Sequence, residues 1–372
     1  MRTTSASVGP HDARSGVEAM RHTSGRGRVA AAVPTWDMVA AKLLELRRRR
    51  GLMIAVVLLI LGPPVLVLGF RLLFHAIDPS RYGPAGDPSI FSGIVNPMAE
   101  LGFIMAATLG TAAGTTDLTD GVFRHLVVTG RSRLALFLAR IPAGLGILLP
   151  LVATGFLMLC LVTTFEAPSP PASVDVNGVV VPLHLDRAQL QQWVEQHPQA
   201  AASAFESGPP GVGPATPSSL HQEVGVLYGE YTANELTVVG PPINEMVKIG
   251  LWLELVVAVG FIAGLGLGSL TGQRTVATIV MIALEIIITP ILAAHAIPYF
   301  INGQRLVVGL ALDQLRPAAL GSGGAGPAHG LLGGRGALGI DPMPTWAMVT
   351  VIAGWIVGWT GIGAWKMATR DA

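Results

Sequence analysis

Apolar runs separated by short polar joints make up most of this chain, with one long polar insert between residues 166 and 245. Gly51 to Phe74, Asn96 to Thr116, Leu134 to Phe165, Met246 to Leu270, Thr275 to Tyr299 and Trp346 to Trp365 are each apolar enough to cross a hydrocarbon layer of about 30 Å at about 1.5 Å per helical residue. The pattern predicts an all-α integral membrane protein with six transmembrane helices. Ahead of the first span, Trp36, Val39, Leu43, Leu44 and Leu46 alternate with Asp37, Lys42 and Glu45 and run into Arg47 to Arg50. Residues 35–50 therefore read as an amphipathic helix in the membrane interface, with Thr35 as its cap, or as an extension of the first span. Residues 1–34, rich in Ser, Gly, Ala and Arg without apolar periodicity, read as a disordered cytoplasmic tail with no signal-peptide core.

Punctuation within the runs refines this picture. Pro63 and Pro64 should bend the first span. Gly110 with Gly114, the stripe Gly260, Gly264 and Gly268, and the pair Gly354 and Gly358 are each four residues apart, a spacing that predicts close helix contact. Trp346 and Trp365 mark the two interfaces of the last span. Leu134 to Phe165 exceeds one crossing and should extend into the cytoplasm around Arg140. In the insert, Val174 to Leu185 reads as a hairpin around Asn177-Gly178, and Asp186 to Gln196 as a short capped helix, within an outer loop domain of low regularity. Residues 300–344 read as a pair of short outer helices or as a flexible loop.

Composition agrees with the membrane reading. The 372 residues are 51% hydrophobic and 13% charged, and mean hydropathy is +0.57, values outside the soluble globular class. A net charge of +1 gives no bulk electrostatic case for nucleic-acid binding. Arg47 to Arg50, Arg124, Arg131, Arg133, Arg274, Lys366 and Arg370 fall on one side of a six-span layout, which predicts a multi-pass protein of the cytoplasmic membrane with both termini cytoplasmic.

The chemistry is sparse. Cys160 is the single cysteine, the histidines are scattered, and no HExxH pair occurs, so no metal site is expected. A P-loop requires a Gly-Lys step, whereas Lys42, Lys248 and Lys366 follow Ala41, Val247 and Trp365. No cofactor is expected on this chain, and any ATP-driven step must use another polypeptide. Glu254 and Glu285 lie within apolar runs, where an ionised carboxylate is costly unless it faces water or a partner. They are candidates for a translocation path, with a structural carboxylate as the competing reading.

Asp117 to Arg140, DLTDGVFRHLVVTGRSRLALFLAR, joins the second and third spans. Thr119 or Asp120 can cap a short surface helix there and Gly130 can end it, with Phe123, Leu126 and Val127 on one face. Asp117, Gly121, Leu126, Ser132, Arg133 and Arg140 fall on a pattern that resembles the second-to-third-span loop of ABC-2-type transporter permease subunits. That resemblance implies a coupling helix that docks on a separate ATP-binding subunit through Asp117, Asp120, Gly121, Phe123, Arg124, Leu126, Ser132 and Arg133. It further implies an exporter built as a homodimer or with a second permease in membrane lipid, with ATP and Mg held by the partner subunit. A solvated, inside-positive loop is the plainer reading of these residues. A proton-coupled secondary transporter and a non-transporting membrane scaffold are the alternative functions.

Overall fold

A computed structural model of the chain describes residues 33–79, 81–119, 132–166, 173–176, 179–197, 231, 239–288, 301–320 and 343–369. The expectations for the 1–32 tail, for Asp120 to Arg131, for most of the outer loop and for the second half of the fifth span lie outside those residues. The elements are α1 (Trp36–Arg48), α2 (Arg50–Ile77), α3 (Pro88–Thr119), α4 (Arg133–Leu138), α5 (Arg140–Phe165), β1 (Ser173–Val176), β2 (Val179–Pro182), α6 (Arg187–Gln196), α7 (Ile243–Thr271), α8 (Arg274–Ile282), α9 (Ile301–Arg305), α10 (Val308–Gln314) and α11 (Thr345–Thr369). A π-helical turn, Ala283–Ile288, follows α8, and a 3-10 turn, Ala318–Leu320, follows α10.

Five helical stretches among the described residues are long and apolar enough to span a membrane: Arg50–Ile77, Ile90–Thr116, Arg133–Phe165, Ile243–Thr271 and Thr345–Thr369. The expected fifth span of the sequence reading is described only through α8 and the π turn.

Burial singles out α3 and α7. In their most apolar windows 56% and 67% of residues are buried, against 22% in α2 and 17% in α11, so these two helices are the axis on which the others lie. Their contact is made by the predicted glycines. A Cβ at Gly268 would stand 2.7 Å from the Thr111 carbonyl oxygen, and one at Gly260 would stand 2.8 Å from that of Phe103. Gly264 meets the Ala107 carbonyl and Gly110 meets the Phe261 carbonyl. Partner numbers rise together along both helices, so α3 and α7 run parallel. In lipid, where helices gain little from hiding apolar surface from one another, such backbone approach supplies dispersion and weak Cα–H···O contacts that hold the pair.

Helices α5 and α11 attach through aromatic residues set against glycines, whereas α2 sets Leu61 against Gly155 of α5. Phe261 of α7 fills the space over Gly144 of α5, and the Phe156 ring of α5 stands 2.9 Å from where a Cβ of Gly250 would be. Phe137 of α4 covers Gly363 of α11, and a Cβ at Gly266 of α7 would stand 2.6 Å from the Trp359 carbonyl oxygen of α11. Thr111 of α3 and Thr278 of α8 share a hydrogen bond of 3.0 Å. The buried hydroxyls of Thr115 and Thr116 bond back to the Thr111 and Ala112 carbonyls at 2.9 and 2.6 Å, which satisfies them inside the bundle.

Several expectations need correction. A Cβ at Gly354 or Gly358 would meet nothing within 4 Å; α11 instead makes its close contacts at Trp359, against Gly266, and at Gly363, against Phe137. Helix α3 begins at Pro88 rather than Asn96, because Ile90, Phe91, Ile94 and Val95 supply a buried face and proline is tolerated in a first turn. Its other end runs through Thr119, so Thr119 closes this helix instead of capping another. The third span has an irregularity at Ala139, where Pro142 cannot donate to the carbonyl of Leu138. In the insert, β1 and β2 pair antiparallel with Val176 opposite Val179, and Asp186 and Gln189 form a reciprocal capping box at the start of α6.

Substituting Gly264 by Val should lower the thermal midpoint of the detergent-solubilised protein, because overpacking costs about 1–3 kcal/mol or more. The same substitution at Gly358 should leave it unchanged. Differential scanning fluorimetry on both variants checks the contrast.

Candidate functional site

Helices α3 and α4 bracket residues 120–131, the segment that holds most of the candidate coupling residues. On one side the last turn of α3 carries Asp117, whose side chain lies outside the description, as do Asp120, Gly121, Phe123, Arg124 and Leu126. On the other side Ser132 is the N-cap of α4, its hydroxyl accepting from the Ala135 amide at 3.2 Å. A capped helix start fixes the direction in which the chain leaves the loop. Arg133 then reaches the end of α11, where its Nη1 donates to the Ala368 carbonyl at 3.3 Å. That carbonyl belongs to the last turn of a helix, where a cation is favoured by the helix dipole.

Arg140 gives this end of the bundle its buried polar tie. It is 1% exposed and its Nη1 donates to the Gly114 carbonyl at 3.1 Å. The structure encloses the guanidinium between α5 and α3. Gly114 itself contacts α7, its missing Cβ leaving 2.7 Å to the Leu265 carbonyl. Arg140 therefore joins the re-entry side of the 120–131 segment to the α3–α7 contact in one step. An arginine inside an otherwise apolar run was the available signal for this role.

Helix α1 packs on the same region. Met38 and Val39 are buried with Ala135, Leu136, Ala139 and Ala143, and Leu43 lies at the edge of this cluster. Thr35 occupies the N-cap of α1, but it is the Thr35 backbone carbonyl, not its hydroxyl, that receives the Met38 and Val39 amides, at 3.0 and 3.2 Å. Helices α1, α3, α4, α5 and α11 thus meet around the two roots of the segment.

At the opposite end α10 and the 3-10 turn wedge between the spans. Val308, Leu310, Ala311 and Leu312 are buried, Trp252 of α7 donates to the Leu312 carbonyl at 2.9 Å, and Trp355 of α11 donates to the Leu306 carbonyl at 2.8 Å. Arg316 donates to Asn96 Oδ1 at 2.8 Å and to the Leu320 carbonyl at 3.1 Å, close enough for its charge to act on half-buried Glu100. Of the two readings of 300–344, its described part is the packed helix pair. Glu254 is half-buried, on the stripe of α7 that also bears exposed Leu251. Glu285 falls in the π turn, with its side chain outside the description.

Replacing Arg140 by Met should cost about 1–3 kcal/mol by leaving the buried Gly114 carbonyl without that donor, whereas Arg133 to Gln, at an exposed contact, should cost under about 0.5 kcal/mol. Urea-induced unfolding in detergent micelles, followed by tryptophan fluorescence, measures both.

No model of a known protein family matches this chain, and no curated protein matches it.

Proposed function

We propose that this chain is the membrane-spanning permease subunit of an ABC-2-type exporter, moving an unidentified substrate across the cytoplasmic membrane with ATP hydrolysed by a separate subunit. The observation that carries the reading is the rooting of the 117–133 segment. One root is the last turn of α3, the second most buried span, and the other is a capped helix tied by Arg133 to α11 and followed by Arg140 tied to Gly114. A push delivered at these two roots acts on α3 and α4 directly, and α3 takes α7 with it through their shared backbone contact.

On this reading Asp117, Asp120, Gly121, Phe123, Arg124, Leu126, Ser132 and Arg133 form the face offered to the ATPase. ATP and Mg reside on that partner, and closure of the ATPase pair shifts the bundle between two packed arrangements. The helix pair of residues 301–314 and the 3-10 turn close the opposite end in the arrangement described here. Much of α2 and α11 is exposed and apolar, which suits lipid or a second permease subunit.

Reconstituted with its ATP-binding subunit, a Gly121 to Trp variant should insert normally and lose transport by about ten-fold, within the roughly 0.5–2 kcal/mol by which single positions alter coupling, while ATP hydrolysis persists. Vesicle efflux and phosphate release measured on one preparation check this. Efflux that follows an imposed proton gradient and needs no ATP-binding subunit would instead favour a proton-coupled carrier.

A further inference from the structure

Helix α1 presents a face that the bundle leaves uncovered. Met38, Val39 and Leu46 are turned inward, while Ala41 and Leu44 are exposed, Leu44 by 54%. One turn on from Leu44, the same face ends in arginine. Ala41, Leu44, Glu45, Arg48 and Arg49 line an open cavity of about 490 Å³, apolar at one end and cationic at the other. Its one carboxylate, on Glu45, is engaged by Lys42 at 2.8 Å. Arg47, Arg48 and Arg50 are exposed, and α2, a membrane-spanning candidate, begins at Arg50. The cavity therefore lies where α1 meets the start of a span, at the depth of lipid headgroups.

We propose that this elbow is a binding site for one anionic glycerophospholipid, its phosphate held by Arg48, with exposed Arg47 outside the cavity lining adding to the local positive field, and its glycerol and upper acyl chain laid over Leu44 and Ala41. Charge complementarity selects the headgroup: clusters of basic residues flanking a span attract anionic lipid by about 1 kcal/mol for each Lys or Arg at the surface. The apolar half selects a lipid over free phosphate, since the exposed leucine is desolvated only by an acyl chain. Because Met38 and Val39 on the opposite face of α1 pack on Ala135, Leu136 and Ala139, the bound lipid fixes the height of the 132–139 region in its leaflet. This site does not depend on the exporter reading.

The test uses the full chain purified in detergent and incubated with phosphatidylglycerol or phosphatidylcholine of matched acyl chains, with retained lipid counted by native mass spectrometry. Preferential retention of phosphatidylglycerol, undisturbed by excess inorganic phosphate, is expected. The double variant Arg47→Gln, Arg48→Gln should lose about five-fold in affinity per arginine, the equivalent of about 1 kcal/mol each. Arg81→Gln, the loss of one positive charge in the turn beyond the other end of α2, should lose none, and Leu44→Gln should weaken retention with all arginines present. Equal retention of the two lipids by the unaltered chain overturns the proposal even if the double variant fails to fold. Unchanged retention in a folded double variant, or displacement by phosphate, overturns it as well.

Discussion

Backbone-to-backbone contact between α3 and α7 is the constraint on which the rest of this structure depends. In water a helix pair is driven together by the apolar surface it hides, but inside a bilayer the surrounding acyl chains are as apolar as leucine. What remains is how closely two helices can approach, and glycine sets that limit. Gly110, Gly114, Gly260, Gly264 and Gly268 bring carbonyl oxygens of each helix to where side chains would otherwise stand. Other helices are fixed relative to this pair: α5 through Phe261 over Gly144, α11 through Gly266, α8 through the Thr111–Thr278 hydrogen bond, and α10 through Trp252.

Polar ties complement this apolar axis and gather toward its two ends. Toward one end Arg140 binds the Gly114 carbonyl and Arg133 binds the Ala368 carbonyl; toward the other Arg316 binds Asn96. Between them the contacts are mostly dispersion, which resists separation of helices more than it resists sliding or tilting. A bundle with a stiff paired axis and hydrogen-bonded ends is suited to moving as a few packed bodies between discrete arrangements rather than deforming continuously. In the proposed exporter this is the property that would let force applied at the 117–133 segment reach the far end.

What the sequence made legible follows from what each feature needs in order to be read. The apolar runs are long and their glycines regularly spaced, so five of the expected spans and the glycine stripes of α3 and α7 could be read from one chain, though not that these two stripes meet each other. The Asp186 capping box and the Val174 hairpin were readable too, because both are set by neighbours within a few residues. Gly354 and Gly358 misled because small-residue spacing shows that a close approach is possible, not that a partner is there; Gly363 is the one that meets Phe137. The early start of α3 was hidden by Pro88 and Pro97, which resemble loop signals until Phe91 and Ile94 are seen to be buried. Arg140 to Gly114 and Arg316 to Asn96 join residues 26 and 220 positions apart, and no local pattern encodes such pairs. Of the candidate coupling face, only Ser132 and Arg133 acquire described side-chain partners, and those partners account for the anchoring of the loop rather than for what it touches.

The central claim is that the segment between α3 and α4 faces the cytoplasm and is covered there by an ATP-binding subunit. Its most direct measurement places a cysteine at position 121 in a chain whose Cys160 has been replaced by Ala, and follows labelling by a membrane-impermeant maleimide. The account predicts no labelling in intact cells, labelling in inverted membrane vesicles, and protection in those vesicles once the ATP-binding subunit is bound. Labelling from outside intact cells would contradict it.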